Sequence, residues 1–197
     1  MASDALYDSL KAVCARRRSV RRFTERPLSQ EQIGKIREIA RFSPYASGKR
    51  NWELLAVTDR ALIRELGEVV RSRSSEIGDR VREDFREMFL EYAENFALFE
   101  SAPVLFIPTF RVQRSLSLMV ENPGDAVQRW ERDNFVKSIS CVAMLVLLAA
   151  EALGLGACFM TGPLVAEEEL ARRIGVKRGH EIGAIIPVGY EERQAEG

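Results

Sequence analysis

Residues 134–153 constrain this chain more than any other stretch, because between Ile139 and Ala150 they are apolar on nearly every side at helical spacing. Such a helix is stable only where a sheet, other helices or a second subunit cover all of its faces. Its longest unbroken apolar run, residues 141–150, is far short of the roughly 20 residues that cross a bilayer. It therefore reads as a central core helix, not as a membrane span, with Gly154 and Gly156 closing its end.

The elements around it follow from periodicity and capping. Leu6, Leu10 and Val13 predict a first helix with Ser3 as N-cap, running into Arg16, Arg17 and Arg18. Ser29 with Gln32 forms a capping box and Leu28 with Ile33 a staple, so a second helix turns Ile33, Ile36 and Ala40 inward until Pro44 stops it at Phe42 or Ser43. Residues 52–58 read as a strand. Leu62, Leu66, Val69 and Val70 give a third helix, and Ile77, Val81, Phe85, Phe89, Tyr92 and Phe96 carry a near four-residue spacing through a long fourth one. Residues 104–109 form a second strand. Residues 111–131 have no period, contain Pro123 and Gly124, and read as a long surface excursion. A short strand at 157–160, a helix over Glu167–Ile174 stopped by Gly175, and a last strand at 182–188 complete the chain. Strands separated by helices, with no repeat or linker, predict one domain over residues 1–197 with a small sheet flanked by helices.

Charge narrows the chemistry. Lys plus Arg (29) balances Asp plus Glu (29), so the whole molecule does not resemble a polyanion binder. The first 50 residues nonetheless hold 12 basic against 5 acidic side chains, which favours an anion near the N-terminus. Cys14, Cys141 and Cys158 are odd in number and lack C-x-x-C spacing, and no cationic stretch followed by an apolar one opens the chain. A reduced, cytoplasmic protein is expected. His180 is the single histidine, so no multi-imidazole metal site is expected. Neither G-x-S-x-G nor a P-loop occurs, and Gly154-Leu155-Gly156 lacks the third glycine of a dinucleotide fingerprint. Glu191 and Glu192 lie in polar sequence and read as exposed. No side chain is assigned as catalytic acid or base, and that points to a cofactor bringing its own chemistry.

Three constellations remain. Arg16-Arg17-Arg18-Ser19-Val20-Arg21-Arg22 places five guanidinium groups and a hydroxyl where a helix gives way to extended chain. Guanidinium forks bind phosphate oxygens bidentately, but cations at a helix C-terminus are also favourable without any ligand. Residues 43–52, small and polar between helix and strand, allow close backbone approach to a flat ligand or form an ordinary turn. Thr161-Gly162-Pro163 after a strand is open to the same two readings.

Taken in order, Arg17-Arg18-Ser19-Val20-Arg21-Arg22-Phe23, the loop at 43–52 with its strand, residues 149–162, and Ile185-Ile186-Pro187-Val188-Gly189-Tyr190 resemble the FMN-dependent nitroreductase family across nearly the whole chain. The resemblance implies an α+β homodimer with a small mixed, mainly antiparallel sheet flanked by helices, the central helix at the dimer interface, and two FMN sites between subunits. It implies that Arg17, Arg18, Ser19 and Arg21 hold the phosphate, ribityl chain or ring edge. Pro44, Tyr45, Ala46 and Ser47 match a loop reaching the flavin from the other subunit, and Thr161 and Gly162 a turn whose amides face its reactive nitrogen. The implied reaction is ping-pong hydride transfer from NAD(P)H through FMN to a nitroaromatic, quinone or similar acceptor, with no nucleic-acid or membrane partner. A flavin-binding protein of the same fold without turnover is the alternative, and a nucleic-acid module using Arg16 to Arg22 is a third reading. The chain departs from the family at Gly48, where Asn is usual, at Arg50-Asn51 in place of Gln-Pro, and at Tyr45 in place of a small Ser. Tyr45 thereby gains a ring able to stack on the flavin or narrow the substrate space. Beyond the Gly-Tyr motif Arg193 is the basic residue at hand, which shifts the phosphate's charge neutralisation toward the N-terminal arginines.

Overall fold

The computed structural model describes residues 2–46 and 51–192. Along the chain run α1 (Ala2–Arg16), α2 (Gln30–Ala40), β1 (Trp52–Val57), α3 (Arg60–Gly78), α4 (Glu83–Glu94), β2 (Val104–Phe110), α5 (Leu116–Met119), α6 (Asp125–Ala152), β3 (Gly156–Ala157), α7 (Glu167–Ile174), β4 (Glu181–Ile182) and β5 (Ile186–Gly189). Short 3₁₀ stretches occupy Asn95–Ser101 and Gly162–Ala166. The sheet is ordered β1-β2-β5-β3, with β4 also paired to β2. All of these pairings are antiparallel, and a single bridge between Ser19 and Ala157 supplies the parallel component.

Every residue of β2 is buried, as a strand covered on both faces must be. The two-residue period of the strand sorts its side chains between two cores. Val104, Phe106 and Phe110 meet α2 and α6 through Ile36, Ile139, Val142 and Val146. Leu105 and Ile107 meet the other layer, built from Ile63, Leu66, Phe99 and Leu170. In α2, Ile33, Ile36 and Ala40 are buried as expected, and the capping box is present in both directions. Gln32 N–H donates to Ser29 Oγ (3.1 Å), while Ser29 N–H donates to Gln32 Oε1 (3.0 Å).

The central helix is long and apolar enough, by length and composition, to cross a membrane. Its buried residues, among them Phe135, Ile139, Val142, Val146 and Ala150, instead face α2 and the sheet. Coverage is incomplete within one chain: Lys137, Ser140, Cys141 and Met144 lie exposed along one face.

Five expected boundaries move. Ser3 falls inside α1, so it is not an N-cap. The second helix ends at Ala40, before Pro44 can act, because Arg41 already caps it. The spacing from Ile77 to Phe96 spans two helices: Ile77 belongs to α3, Val81 lies in the intervening turn, and Phe96 in a 3₁₀ stretch. Apolar spacing persisted across a break that no Pro marks. The central helix begins at Asp125, so the excursion shortens to residues 111–124 and itself contains α5. The first turns of α6 are mostly exposed and bury only Glu131 and Phe135, so no inward apolar period marks them. The expected last strand is split into β4 and β5. Between Thr109–Ile182 and Phe106–Ile186 pairings, Ile107 and Pro108 of β2 oppose Gly183, Ala184 and Ile185, a β-bulge. Gly183 N–H donates to Pro108 O at 2.7 Å, and a Cβ at Gly183 would approach Ile139 to 2.9 Å.

Ile36→Ala, at a fully buried site of α2, is expected to cost about 2–5 kcal/mol in urea unfolding. Leu118→Ala, where the side chain is 85% exposed, should stay within about 0.5 kcal/mol.

Candidate functional site: an arginine strand beside a backbone turn

After α1 the chain runs extended and is stitched to the sheet edge at two places. Val20 N–H donates to Ala157 O (3.0 Å) next to the Ser19–Ala157 bridge. Further on, Thr24 N–H donates to Tyr190 O (2.9 Å) and Glu192 N–H to Arg22 O (3.1 Å), flanking a bridge between Phe23 and Glu191. Gly156 makes the first contact possible, since a Cβ there would stand 2.8 Å from the Val20 side chain.

Extended backbone sends alternate side chains to opposite sides. Arg16, Arg18 and Val20 line a cleft of about 420 Å³ together with Glu151, Tyr190 and Glu191. Arg16 Nε donates to Glu151 Oε1 at 3.0 Å, and Arg18 pairs with Glu191. Arg17, Ser19 and Arg21 are absent from that cleft, and their side chains have no hydrogen-bond or ion-pair partner among the described residues. Arg17 is half-buried. A partly buried cation without a counter-charge is unfavourable unless something else supplies the anion.

From Ala157 the chain leads directly to the second feature. Met160 and Ile185 exchange backbone hydrogen bonds of 3.0 and 2.9 Å, and Thr161 then opens the Gly162–Ala166 turn, accepting from Leu164 N–H at 3.0 Å. Four residues separate Ala157 from Thr161, a reach of at most about 14 Å. Thr161 is exposed, and the leading amides of such a turn have no partner within it. Gly162 packs so closely on Phe96 that a Cβ would stand 2.3 Å from the ring.

The loop after α2 lies elsewhere. Ala46 N–H donates to Ser138 Oγ (3.1 Å), which donates in turn to Asn134 O (2.7 Å). The Tyr45 ring sits between Trp52 and Phe135, with centroids 6.3 and 6.0 Å away. That ring is part of the core edge, so it is not free to stack on a ligand of its own chain. The Tyr45 hydroxyl is buried without a partner among the described residues, and burial pushes its pKa up to about 12. Ser138 and Glu151 are thirteen residues apart on α6, about 20 Å at 1.5 Å per residue. Thus Arg17, Ser19, Arg21, Thr161 and Gly162 lie along one sheet edge, Arg18 turns to Glu191, and the loop of Pro44, Tyr45 and Ala46 meets α6 at Ser138, about 20 Å along the helix from Glu151. Ser47 and Arg193 lie outside the described residues.

Sequence reading passed over three carboxylates. Glu151 and Glu191 are the partners of Arg16 and Arg18, contacts across 135 and 173 residues that no local signal marks. Glu131 is buried on α6 and accepts from the amides of Leu116 and Ser117 and from the Ser117 hydroxyl, which fastens the excursion to the central helix. The Ser117 hydroxyl first, then these amides, hold the Glu131 carboxyl below its ordinary 4.5, against the opposing effect of desolvation.

A helix-flanked antiparallel sheet with an arginine-rich edge and a backbone turn beside it defines an α+β protein. The sequence profile of the nitroreductase family matches residues 14–190, and the chain belongs to that family. A Methanothermobacter thermautotrophicus protein named "Putative NADH dehydrogenase/NAD(P)H nitroreductase" is 30% identical over 186 residues, covering 93% of this chain and 77% of its own. A Bacillus subtilis protein named "Putative NAD(P)H nitroreductase YfhC" is 23% identical, with 96% and 88% covered. Among solved structures, a BluB-like flavoprotein from Clostridium difficile 630 superimposes with TM-score 0.83 at 24% identity, covering 95% of this chain and 92% of that one. A nitroreductase with bound FMN from Desulfitobacterium hafniense does so with TM-score 0.73 at 20% identity, covering 95% and 91%.

Because the Glu131 carboxyl is depressed in the fold, its contribution is present above its ordinary range and is lost as pH falls through the lowered value. Hydrogen exchange should therefore show Leu116 and Ser117 amides protected near neutral pH and released at acid pH. Glu131→Gln should lose most of that protection at every pH.

Proposed function

We propose that this chain is an FMN-dependent oxidoreductase that passes a hydride from NAD(P)H to a small oxidised acceptor such as a nitroaromatic or quinone, in a ping-pong cycle. The observation that carries the proposal is Arg17, half-buried and unpaired, beside Ser19 and Arg21 on the sheet edge that leads to the Thr161–Gly162 turn. Bound there, FMN supplies the hydride relay, with nicotinamide and acceptor using the same place in turn.

The residues present fit that group. Arg17 and Arg21 supply two positive charges for a phosphomonoester of charge near −2, and Ser19 adds a hydroxyl donor. The Thr161 and Gly162 amides provide donors for the electron-rich edge of the ring, within the short reach set by Ala157. No side chain here is required as acid or base. Arg18 is held by Glu191 and fixes the strand beside the site without adding free charge to it. Pro44, Tyr45 and Ala46 lie away from the arginine corner in their own chain, and their loop contributes from a second copy, which accords with the exposed face of α6 at Cys141 and Met144. The unpartnered Tyr45 hydroxyl is the polar group of that loop with bonding capacity left. The nucleic-acid reading is weakened because Arg16 and Arg18 are already neutralised by carboxylates. A reducing cytoplasm suits the three thiols, which form no disulfide among the described residues.

The purified chain, reconstituted with FMN, should retain a flavin spectrum through gel filtration as a dimer; a colourless product refutes the assignment. Anaerobic NADH or NADPH should bleach that spectrum, whereas a stable yellow colour favours a binding protein without turnover. Arg17→Ala and Arg21→Ala should each weaken FMN by about 1.5–3 kcal/mol and leave riboflavin affinity unchanged. Tyr45→Phe should leave the stability of the flavin-free protein equal or higher, yet reduce FMN affinity.

A further inference from the structure

The arginines between residues 16 and 22 do not form one continuous patch. Arg16 and Arg18 each meet a carboxylate, and in both pairs the acid is the more enclosed partner: side-chain exposure is 17% for Glu151 and 29% for Glu191, against 65% and 66% for the arginines. Glu151 is the penultimate residue of α6, where the carbonyl end of the helix dipole disfavours an anion. Helix stability therefore does not explain this acid; its contact with Arg16 does. Glu191 is tied by its backbone to Phe23 and by its side chain to Arg18, so it holds the strand and one of its charges together.

We infer that Glu151 and Glu191 are specificity-determining residues that neutralise Arg16 and Arg18, so that of the five guanidinium groups only Arg17, Arg21 and the exposed Arg22 remain open, enough for a single phosphomonoester, and that they thereby exclude pyrophosphate-bearing and polymeric anions. The inference rests on the reading that the corner holds a flavin phosphate. It goes further by assigning to two acids the choice of a mononucleotide over longer anions. Without them Arg16 and Arg18 become free to meet a second phosphate reaching around the strand, and the corner acquires the charge density that polyanions follow.

The test compares the full chain with Glu151→Gln/Glu191→Gln. In calorimetry with inorganic pyrophosphate the variant should bind about tenfold more tightly, the yield of roughly one added charge-assisted hydrogen bond. It should also elute from heparin at higher salt, with a steeper salt dependence. FMN affinity should stay within about threefold, because the ligand-facing arginines are untouched. Glu191→Gln alone, a change at a half-exposed side chain, should move pyrophosphate in the same direction. Removing Arg16 and Arg18 as well, each to Gln, should cancel the gain. Pyrophosphate affinity and heparin elution that match the unchanged protein overturn the inference, as does a loss of FMN affinity without any gain in pyrophosphate. If neither protein takes FMN, the flavin assignment fails separately while the pyrophosphate measurement still decides the role of the two acids.

Discussion

Strand β2 has to be covered on both sides, and the rest of the molecule follows from that requirement. One layer of helices, α2 and α6, and a second, α3 with α7 and the 3₁₀ turn around Phe99, close over its alternating side chains. With β1 pairing one edge along its full length, variation is left to the opposite edge. There β3 is only two residues long, and the extended chain after α1 completes the pairing through Ala157. A short, interrupted edge is what lets an arginine-rich segment and a glycine-containing turn lie side by side without either being buried.

The electrostatics of that edge come from backbone geometry more than from composition. Five arginines in seven residues look like a single cationic surface, but an extended chain divides them by parity. Arg16 and Arg18 reach Glu151 and Glu191, while Arg17 and Arg21 on the other side, and the exposed Arg22, are left open. Two of the five positive charges are thus neutralised in place, and the corner keeps its excess on the guanidinium groups left open.

Much of this architecture was legible in the chain. The capping box at Ser29 and Gln32, the inward stripe of Ile33, Ile36 and Ala40, and the stop of α7 at Gly175 are local signals, written in side chains that act on their own backbone. Boundaries that depend on distant contacts were not legible. The break between α3 and α4 is unmarked by Pro, and the first turns of α6 bury little beyond Glu131 and Phe135. The same division runs through the candidate site. Arg17, Ser19 and Arg21 could be named from their motif, but the division of labour within the cluster depends on Glu151, 135 residues from its partner, and Glu191, 173 residues away. Tyr45 could be placed in its loop, though its anchorage between Trp52 and Phe135 required the tertiary packing.

The bulge at Gly183, Ala184 and Ile185 gives this part of the chain a fixed count of residues. Because of the extra residue, Ile182 and Ile185 both enter the layer shared with α3, while Ala184, Ile186 and Val188 enter the layer shared with α6. Deleting one of the three would leave Ile182 opposite Thr109 and Ile186 opposite Phe106 but take one side chain from the packed layers, and deleting two would turn one arm of the strand over, driving its side chains to the wrong faces. Insertions and deletions in this lineage should accordingly collect in the excursion at 111–124 and spare the three residues of the bulge, however freely their side chains vary.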